Sequence, residues 1–401
     1  MEVLLVSMPE QLMTRESGPE TGVSDSGDVL RKRSLIEWEQ HVNERLGTDP
    51  APALRPDLLP ESGAWLPMRW VRVPQQELRL LADCEEGVNV AKNALKTDEG
   101  HALFPIHPLI EDAFPADRVV TAGRFAVSAS YRTVFYEPAI GDPLCGIAGQ
   151  DEILMLKLHL DMVLPGIAGD RRLTEAKVRK CVTLSRVLPG SLADSKTPHP
   201  VRVMRERMGL LFGDRGALVR VVPRRGVLPL FSFYSRDSRN PGQAPILIEE
   251  LDRIAGGPSG AARDFGALVA EPLARAVLAG FEQGFSLELH AQNAVAVPGR
   301  ERLIDQILFR DLESVVFFPE LRALRGLSDL PLDTTDPELI QAPRSPVRWF
   351  NRNMDHDVGR ILRWSLAVLE NERYFGAREQ KLAVVETRRV IRRTIREFGL
   401  E

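Results

Sequence analysis

Cysteine is scarce. A chain of 401 residues holds three, Cys84, Cys145 and Cys181, far apart and odd in number. No disulfide framework and no CxxC metal knuckle can be built from them, so a reducing cytoplasm is the expected home. Long apolar runs are also missing. No stretch approaches the roughly 20 apolar residues that a membrane span needs. The opening "MEVLLVSMPEQL" has too short an apolar run, and no basic n-region, for a signal peptide. A dominant charge is absent as well: 52 Lys and Arg stand against 56 Asp and Glu, a net of −4. The two signs are interspersed, which argues against nucleic acid or a membrane surface as the main partner. There is no internal repeat.

What is present is ordinary for a soluble globular protein: 44 % hydrophobic and 27 % charged residues. The length predicts two or three domains. Residues 15–28 read as a polar loop, and "LRKRSLIEWEQHVNERLG" has helical spacing through Leu35, Trp38 and Val42. Residues 48–68 carry five prolines and are expected to run extended over the surface. A second helix is expected over 75–95. Short β-like runs follow from about residue 101, clearest in "RFAVSASYRTVFY" and "EILMLKLHLDMVL". In the latter, Leu154, Leu156, Leu158 and Leu160 alternate with Met155, Lys157, His159 and Asp161. That is the period of a strand with one buried and one partly polar face. "GALVRVVPRRGVLPLFSF" reads as a hairpin turning at 223–226. Helices return after residue 245. The last, "REQKLAVVETRRVIRRTIREFG", turns Val384, Ile391, Ile395 and Phe398 inward. Its arginines 388, 389, 392, 393 and 396 are read as a solvated face, because acids are interleaved with them.

Four stretches carry groups fit for chemistry. "LELHAQNAVAV", residues 287–297, reads as a strand with Glu288, His290 and Gln292 on one side and Asn293 next to them. The turn signal "PGRER" follows, and then "LIDQILF". A hairpin centred near residue 300 or 301 brings residues 309–311 beside 290–293. Asp311 then reaches the neighbourhood of His290, Gln292 and Asn293. An Asp beside an Asn amide oxygen is hard-oxygen ligation suited to Mg²⁺, an arrangement that protein kinases also use against nucleotide phosphates. "VSASYRTVF" offers Ser130, Arg132 and Thr133, two hydroxyls and a forked guanidinium that suit phosphate or carboxylate oxygens. Lys157 could bind phosphate as a point charge. "FPIHPLIEDAF" places His107 between Ile106 and Pro108. Each has an ordinary alternative: a polar hairpin edge, a structural arginine, a snorkelling lysine, a packed loop histidine.

Taken in order, these pieces resemble the NRPS-independent siderophore synthetase family, of the aerobactin-synthetase type. His107-Pro108 resembles the start of its His-Pro-Trp-Gln segment, with Leu109-Ile110 in place of Trp-Gln. Ser130, Arg132 and Thr133 fit its Ser-x-Arg-Thr segment, and Lys157 fits its Lys-Leu-x-Leu strand. Glu288, His290, Gln292 and Asn293 match its Glu-x-His-x-Gln-Asn signature. Arg310 and Asp311 resemble its Arg-Asp-x-x-Gly segment, with Ser314 for Gly. The resemblance implies an α+β fold like a cupped hand. It would have a shortened thumb-like segment over 1–100, β-rich fingers over 101–240 and a mostly helical, kinase-like palm over 241–401. It implies an ATP- and Mg²⁺-dependent ligase. The carboxylate of a small acid attacks the α-phosphate of ATP, and an amine or hydroxyl then displaces AMP. Lys157, Arg132 and His290 would be catalytic. Ser130, Arg132, Thr133, Lys157, Glu288, His290, Gln292 and Asn293 would bind ATP, and Asn293 and Asp311 would hold the metal. No nucleic acid and no membrane are expected as partners; a homodimer is compatible.

The sequence departs from that pattern. Family members are longer, and their His-Pro-x-His-Pro-x-x-Lys segment has no match before residue 101. Pro165 and Gly169 stand where a Thr and an Arg are expected. His107, Arg171 and Arg172 remain as candidate carboxylate-binding groups. They suit a mono- or dicarboxylate better than citrate, since each buried negative charge needs its own partner. Two other readings stay open: a kinase-like phosphotransferase, and a non-catalytic nucleotide- or ligand-binding homologue acting as a partner subunit.

Overall fold

The computed structural model describes residues 30–42, 55–82, 93–162, 171–195, 201–332 and 345–398, with 31, 94, 98 and 99 excepted. The polar 15–28 stretch, Cys84, Pro165 and Gly169 lie outside these residues. The first described helix, α1 (Leu35–His41), opens on a capping box. The Ser34 hydroxyl accepts the Glu37 N–H, and the Glu37 carboxylate reaches back to the Ser34 N–H. The described part of the proline-rich stretch, residues 55–68, does not run extended before Trp65. It folds into two 3₁₀ turns, Pro56–Leu58 and Pro60–Ser62, each with proline at its start, where the fixed φ suits a turn and no N–H is needed. The helix expected over 75–95 is likewise overturned as far as Ala82. Residues 75–77 form a turn and Leu78–Ala82 a strand, because β-sheet pairing with a distant strand outweighs local helical spacing.

The β half is one antiparallel sheet of eight strands. Its members are β1 (Trp65–Pro74), β2 (Leu78–Ala82), β3 (His101–Ile106), β4 (Val119–Val127), β5 (Thr133–Glu137), β6 (Glu152–Leu158), β8 (Glu206–Phe212) and β9 (Arg215–Pro223). Short β7 (Val201–Val203) belongs elsewhere. The order across the sheet is β2-β8-β9-β6-β5-β4-β1-β3. Strands from residues 65–82 therefore share a sheet with strands from 101–223.

On one face, Leu154, Leu156 and Leu158 of β6 join Trp70, Phe125 and Tyr136 in a core. On the other, Ile153 and Met155 join Phe135, Ala126, and Leu35 and Ile36 of α1. Both faces of β6 are thus buried, and the Lys157 side chain, expected on a partly polar face, is 5 % exposed. Helix α2 (Glu175–Ala193) lies across β8. A Cβ at Gly209 would clash with Val178 Cγ1, so glycine sets how closely the helix approaches.

The second half is mainly helical. The hairpin expected at 223–226 does not form: β9 pairs with β6 and β8, whereas β10 (Leu228–Pro229) pairs with β12 (Ala294–Val297). The chain leaves one sheet and enters another there. That second sheet runs β10-β12-β13-β7, with β13 at Gln306–Phe309. A two-stranded ribbon, β11 (Phe285–Ser286) with β14 (Val316–Phe317), closes beside it. Helices Ile246–Ala255, Pro258–Phe265, Glu271–Glu282, Arg360–Asn371 and Ala377–Glu397 surround them. On the last, Ile391 and Ile395 are buried, Val384 and Phe398 half-buried, and arginines 388, 389, 392, 393 and 396 exposed. The mixture of helices and antiparallel sheets is the expected α+β class.

Gly209→Ala should destabilise the fold by about 1–3 kcal/mol, the usual cost of overpacking. Gly190→Ala, on the exposed side of α2 with open space around it, should stabilise by about 0.5–1 kcal/mol. Chemical denaturation of the two variants side by side checks both signs. Equal effects would mean that the helix-to-sheet approach is not set at Gly209.

Candidate functional site

The hairpin arithmetic holds. Ala294 pairs with Phe309 and Val297 with Gln306, a register that continues into the bond from the Arg310 N–H to the Asn293 carbonyl, 2.9 Å. The strand reading of the whole 287–297 run does not hold. Residues 287–290 carry no strand pairing, and 291–293 are a turn closed by the Asn293 and Ala294 N–H groups on the His290 carbonyl. The turn is what gathers Glu288, His290, Gln292 and Asn293 on one side. Asp311 follows with φ 77, a left-handed conformation rare outside glycine and asparagine.

The opposite wall comes from the sheet. The 128–132 segment joins β4 to β5 as a tight turn in which Tyr131 has φ 58. Its serine hydroxyls help to hold it. Ser130 Oγ accepts the Thr133 N–H at 3.1 Å, and Ser128 Oγ lies 3.1 Å from it. His107 braces the same turn from behind. Its Nδ1 accepts the Leu109 N–H, so Nε2 carries the proton and donates to the Tyr131 carbonyl, 3.1 Å. Burial pushes the His107 imidazole down to about 4, so it is neutral at pH 7. Lys157 enters from β6, opposite Thr133.

Between these walls lies a cavity of about 290 Å³. Ser130, Arg132, Thr133, Lys157, Arg171, Glu288, His290, Gln292, Asn293, Arg310 and Asp311, all singled out from the sequence, line it, together with Ser128, Met155 and Arg220. His107 and Arg172 do not. The first spends both ring nitrogens on backbone, and the second is exposed. His159, beside Lys157 in sequence, also stays outside, its Nδ1 accepting the Leu173 N–H.

Five cations and two acids line the cavity, so it attracts anions. Its cations are held by acids that the sequence reading missed. Glu313 meets Arg132 at 3.1 Å, Lys157 at 2.8 Å and Lys177 at 3.0 Å. Glu206 pairs with Arg220, and Glu39 with Arg310. Lys157 also pairs with Asp311, whose side chain keeps 30 % exposure. Burial works to raise the Asp311 carboxyl, but Lys157, then Arg132, more than offset it and hold it well below the ordinary carboxylate value. The same balance lowers Glu313. Burial, opposed by Glu288 and Asp311, lowers His290. His290 Nδ1 accepts the Gln292 N–H at 3.2 Å, so in the neutral ring Nε2 is the donor.

Among the described residues no three His, Cys, Asp or Glu side chains group as a metal cage. Asp311 and Asn293 nevertheless put two hard oxygen donors on the cavity wall. That fits a cation which arrives with an anionic ligand and draws its other oxygens from that ligand and water. No helix among the described residues is long and apolar enough to cross a membrane.

Glu313→Gln should cost about 1–3 kcal/mol at pH 7, since it leaves partly buried cations short of a partner. Because the folded-state value of Glu313 is depressed, its contribution is present above the unfolded carboxylate value and disappears as pH falls through the folded one. The stability gap between wild type and Glu313→Gln should therefore shrink steadily below pH 4.5. Denaturant titrations at pH 7, 5, 4 and 3 read this, and a pH-independent gap would remove Glu313 from the charge balance.

No protein-family model and no curated protein sequence matches the chain. Solved structures do. Aerobactin synthetase IucA from a hypervirulent pathotype of Klebsiella pneumoniae, in its ATP-bound form, superposes with a TM-score of 0.64 at 15 % identity, over 93 % of this chain and 72 % of that one. Aerobactin synthetase IucC from the same source gives 0.62 at 15 %, over 94 % and 72 %. The petrobactin biosynthesis protein AsbB from Bacillus anthracis str. Sterne gives 0.58 at 12 %, over 92 % and 70 %. At such low identity the likeness speaks for architecture, and the architecture agrees with the one the motifs resemble: the chain has the fold of the NRPS-independent siderophore synthetases.

Proposed function

We propose that the chain is an ATP-dependent ligase that activates a small carboxylic acid as an acyl-adenylate and joins it to an amine or hydroxyl, in siderophore or related specialised-metabolite synthesis. The observation that carries this reading is the convergence of Arg132, Lys157, His290, Asn293 and Asp311 on one cavity, although they come from segments far apart in the chain. It is supported by the ATP-bound state of the aerobactin synthetase whose fold the chain shares. A triphosphate needs cations on its oxygens, and the lining has them in excess.

In this reading a carboxylate oxygen attacks the α-phosphorus, and the bond to the β-phosphate oxygen breaks, releasing pyrophosphate. The amine or hydroxyl then attacks the acyl carbon, AMP leaves, and the nucleophile loses a proton. Arg132 and Lys157 hold the phosphate oxygens as charge builds on them, and the neutral His290 donates from Nε2. Asn293 and Asp311 would hold Mg²⁺, which would supply further neutralisation of the phosphates. The Lys157–Asp311 pair opens so that each group reaches its own partner, while Glu313 stays on Lys157. Ser130, Thr133, Glu288 and Gln292 complete the nucleotide contacts. Arg171 is the one carboxylate-binding candidate that lines the cavity. That favours a mono- or dicarboxylate over citrate, because each of citrate's three charges would need a cationic partner and one of the three candidates lines the cavity.

ATP–pyrophosphate exchange, screened over mono-, di- and tricarboxylic acids, tests the class. Carboxylate-dependent exchange with AMP as the nucleotide product is expected, whereas ADP would identify a phosphotransferase, and no turnover with nucleotide still bound a non-catalytic homologue. Citrate outpacing every mono- and dicarboxylate would refute the assignment of the acid. Asp311→Ala should reduce turnover by far more than tenfold, that is by more than about 1.4 kcal/mol of transition-state stabilisation. A loss below tenfold would take Asp311 out of the metal site.

A further inference from the structure

The cavity is walled by the large sheet and by the hairpin. A third element touches both walls without lining the cavity. Glu39 of α1 is 0 % exposed, and its two carboxylate oxygens face different ways. Oε2 accepts the Ala129 N–H at 3.1 Å, in the turn that carries Ser130 and Arg132. Oε1 pairs with the Arg310 guanidinium, whose Nε donates to the Gln292 carbonyl at 2.8 Å. One carboxylate thus spans from the sheet's turn to the 290–293 turn. The helix that delivers it is fixed independently. The Leu35 N–H donates to the Arg224 carbonyl at 2.9 Å, and Leu35 and Ile36 are packed into the seam between sheet and hairpin.

Building on the nucleotide reading above, we propose that Glu39 is a positioning residue for the ligand cavity, setting the separation and orientation of its two walls. The chemistry allows little else at this position. A buried guanidinium needs a charged acceptor, and the forked donor fixes direction as well as distance. Two donors, the Ala129 amide and Arg310, point at one side chain, so both of its outer atoms must be acceptors. Only a carboxylate satisfies that. A glutamine at 39 turns its amide nitrogen toward one of the two donors and breaks that link. An aspartate keeps the charge but is one methylene too short to hold both partners at their present spacing. In either variant Arg132 and Lys157 on one wall lose register with His290, Asn293 and Asp311 on the other.

The test is isothermal titration of the full chain with ATP and Mg²⁺, comparing wild type, Glu39→Gln, Glu39→Asp and Glu250→Gln at a temperature where circular dichroism shows all four folded. Glu250 is the control. It is as buried as Glu39 and pairs with Arg253 at 2.6 Å, but it stands on the helix Ile246–Ala255 and does not line the cavity. Glu39→Gln should weaken ATP binding at least tenfold and Glu39→Asp by a smaller factor. Glu250→Gln should stay within twofold of wild type, even where its thermal midpoint falls as far. A wild-type dissociation constant in Glu39→Gln overturns the proposal, as does a loss in Glu250→Gln equal to that in Glu39→Gln. If Glu39→Gln does not fold, Glu39→Asp decides in the same way. Wild-type protein that binds no ATP refutes the nucleotide reading itself and this proposal with it. ATP binding by wild type that is unchanged in the Glu39 variants refutes this proposal alone.

Discussion

Five cations share the wall of one small cavity, and everything nearby is arranged to keep them there. Desolvating a guanidinium or ammonium costs several kcal/mol unless an acceptor is at hand. Here the acceptors are carboxylates set behind or beside the lining: Glu39 for Arg310, Glu206 for Arg220, and Glu313 with Asp311 for Arg132 and Lys157. The acids are carried by three different parts of the fold. Glu39 comes from the N-terminal helix, Glu206 from β8, and Asp311 and Glu313 from the end of the hairpin. The site is therefore only as well formed as the packing of these parts against one another. Buried ion pairs are poor sources of net stability, and a set like this is better understood as fixing geometry.

The backbone carries the same imprint. Tyr131 and Asp311, non-glycine residues in the left-handed region, sit on opposite walls of the cavity. Such conformations cost of order 1–3 kcal/mol and persist where the surroundings over-determine them. At 128–132 the over-determination comes from Ser128, Ser130 and His107. At 311 it comes from the Arg310–Asn293 backbone bond on one side and the Lys157 ion pair on the other. His107, which the motifs place among the carboxylate-binding groups, works at this level: it shapes the turn that presents Arg132 and stays neutral to do so.

Several parts of this arrangement are determined by the sequence itself. Period-two alternation in residues 153–158 identifies β6 and puts Lys157 on the face opposite the leucines. The turn signal at 298–302 sets a register that brings Asp311 to Asn293. Interleaved acids mark the last helix's arginines as solvated. These features are local: each depends on residues within about twenty positions, where side-chain alternation and turn chemistry dominate.

What only the tertiary structure decided is of another kind. The 78–82 stretch becomes a strand because β8, far along the chain, is there to pair with it. The chain at 223–228 leaves one sheet for another instead of turning back, since β12 offers β10 a partner. Residues 287–290 alternate like a strand yet find no strand partner, and 291–293 form the turn that gathers His290 and Asn293. The acids that hold the cations are the furthest from view. Glu39 meets Arg310 across 271 positions and Arg132 meets Glu313 across 181. Nothing in the spacing of a single chain marks an acid as the partner of a cation so distant, because charge pairing is set by distance in space and by desolvation, and both exist only once the chain has folded.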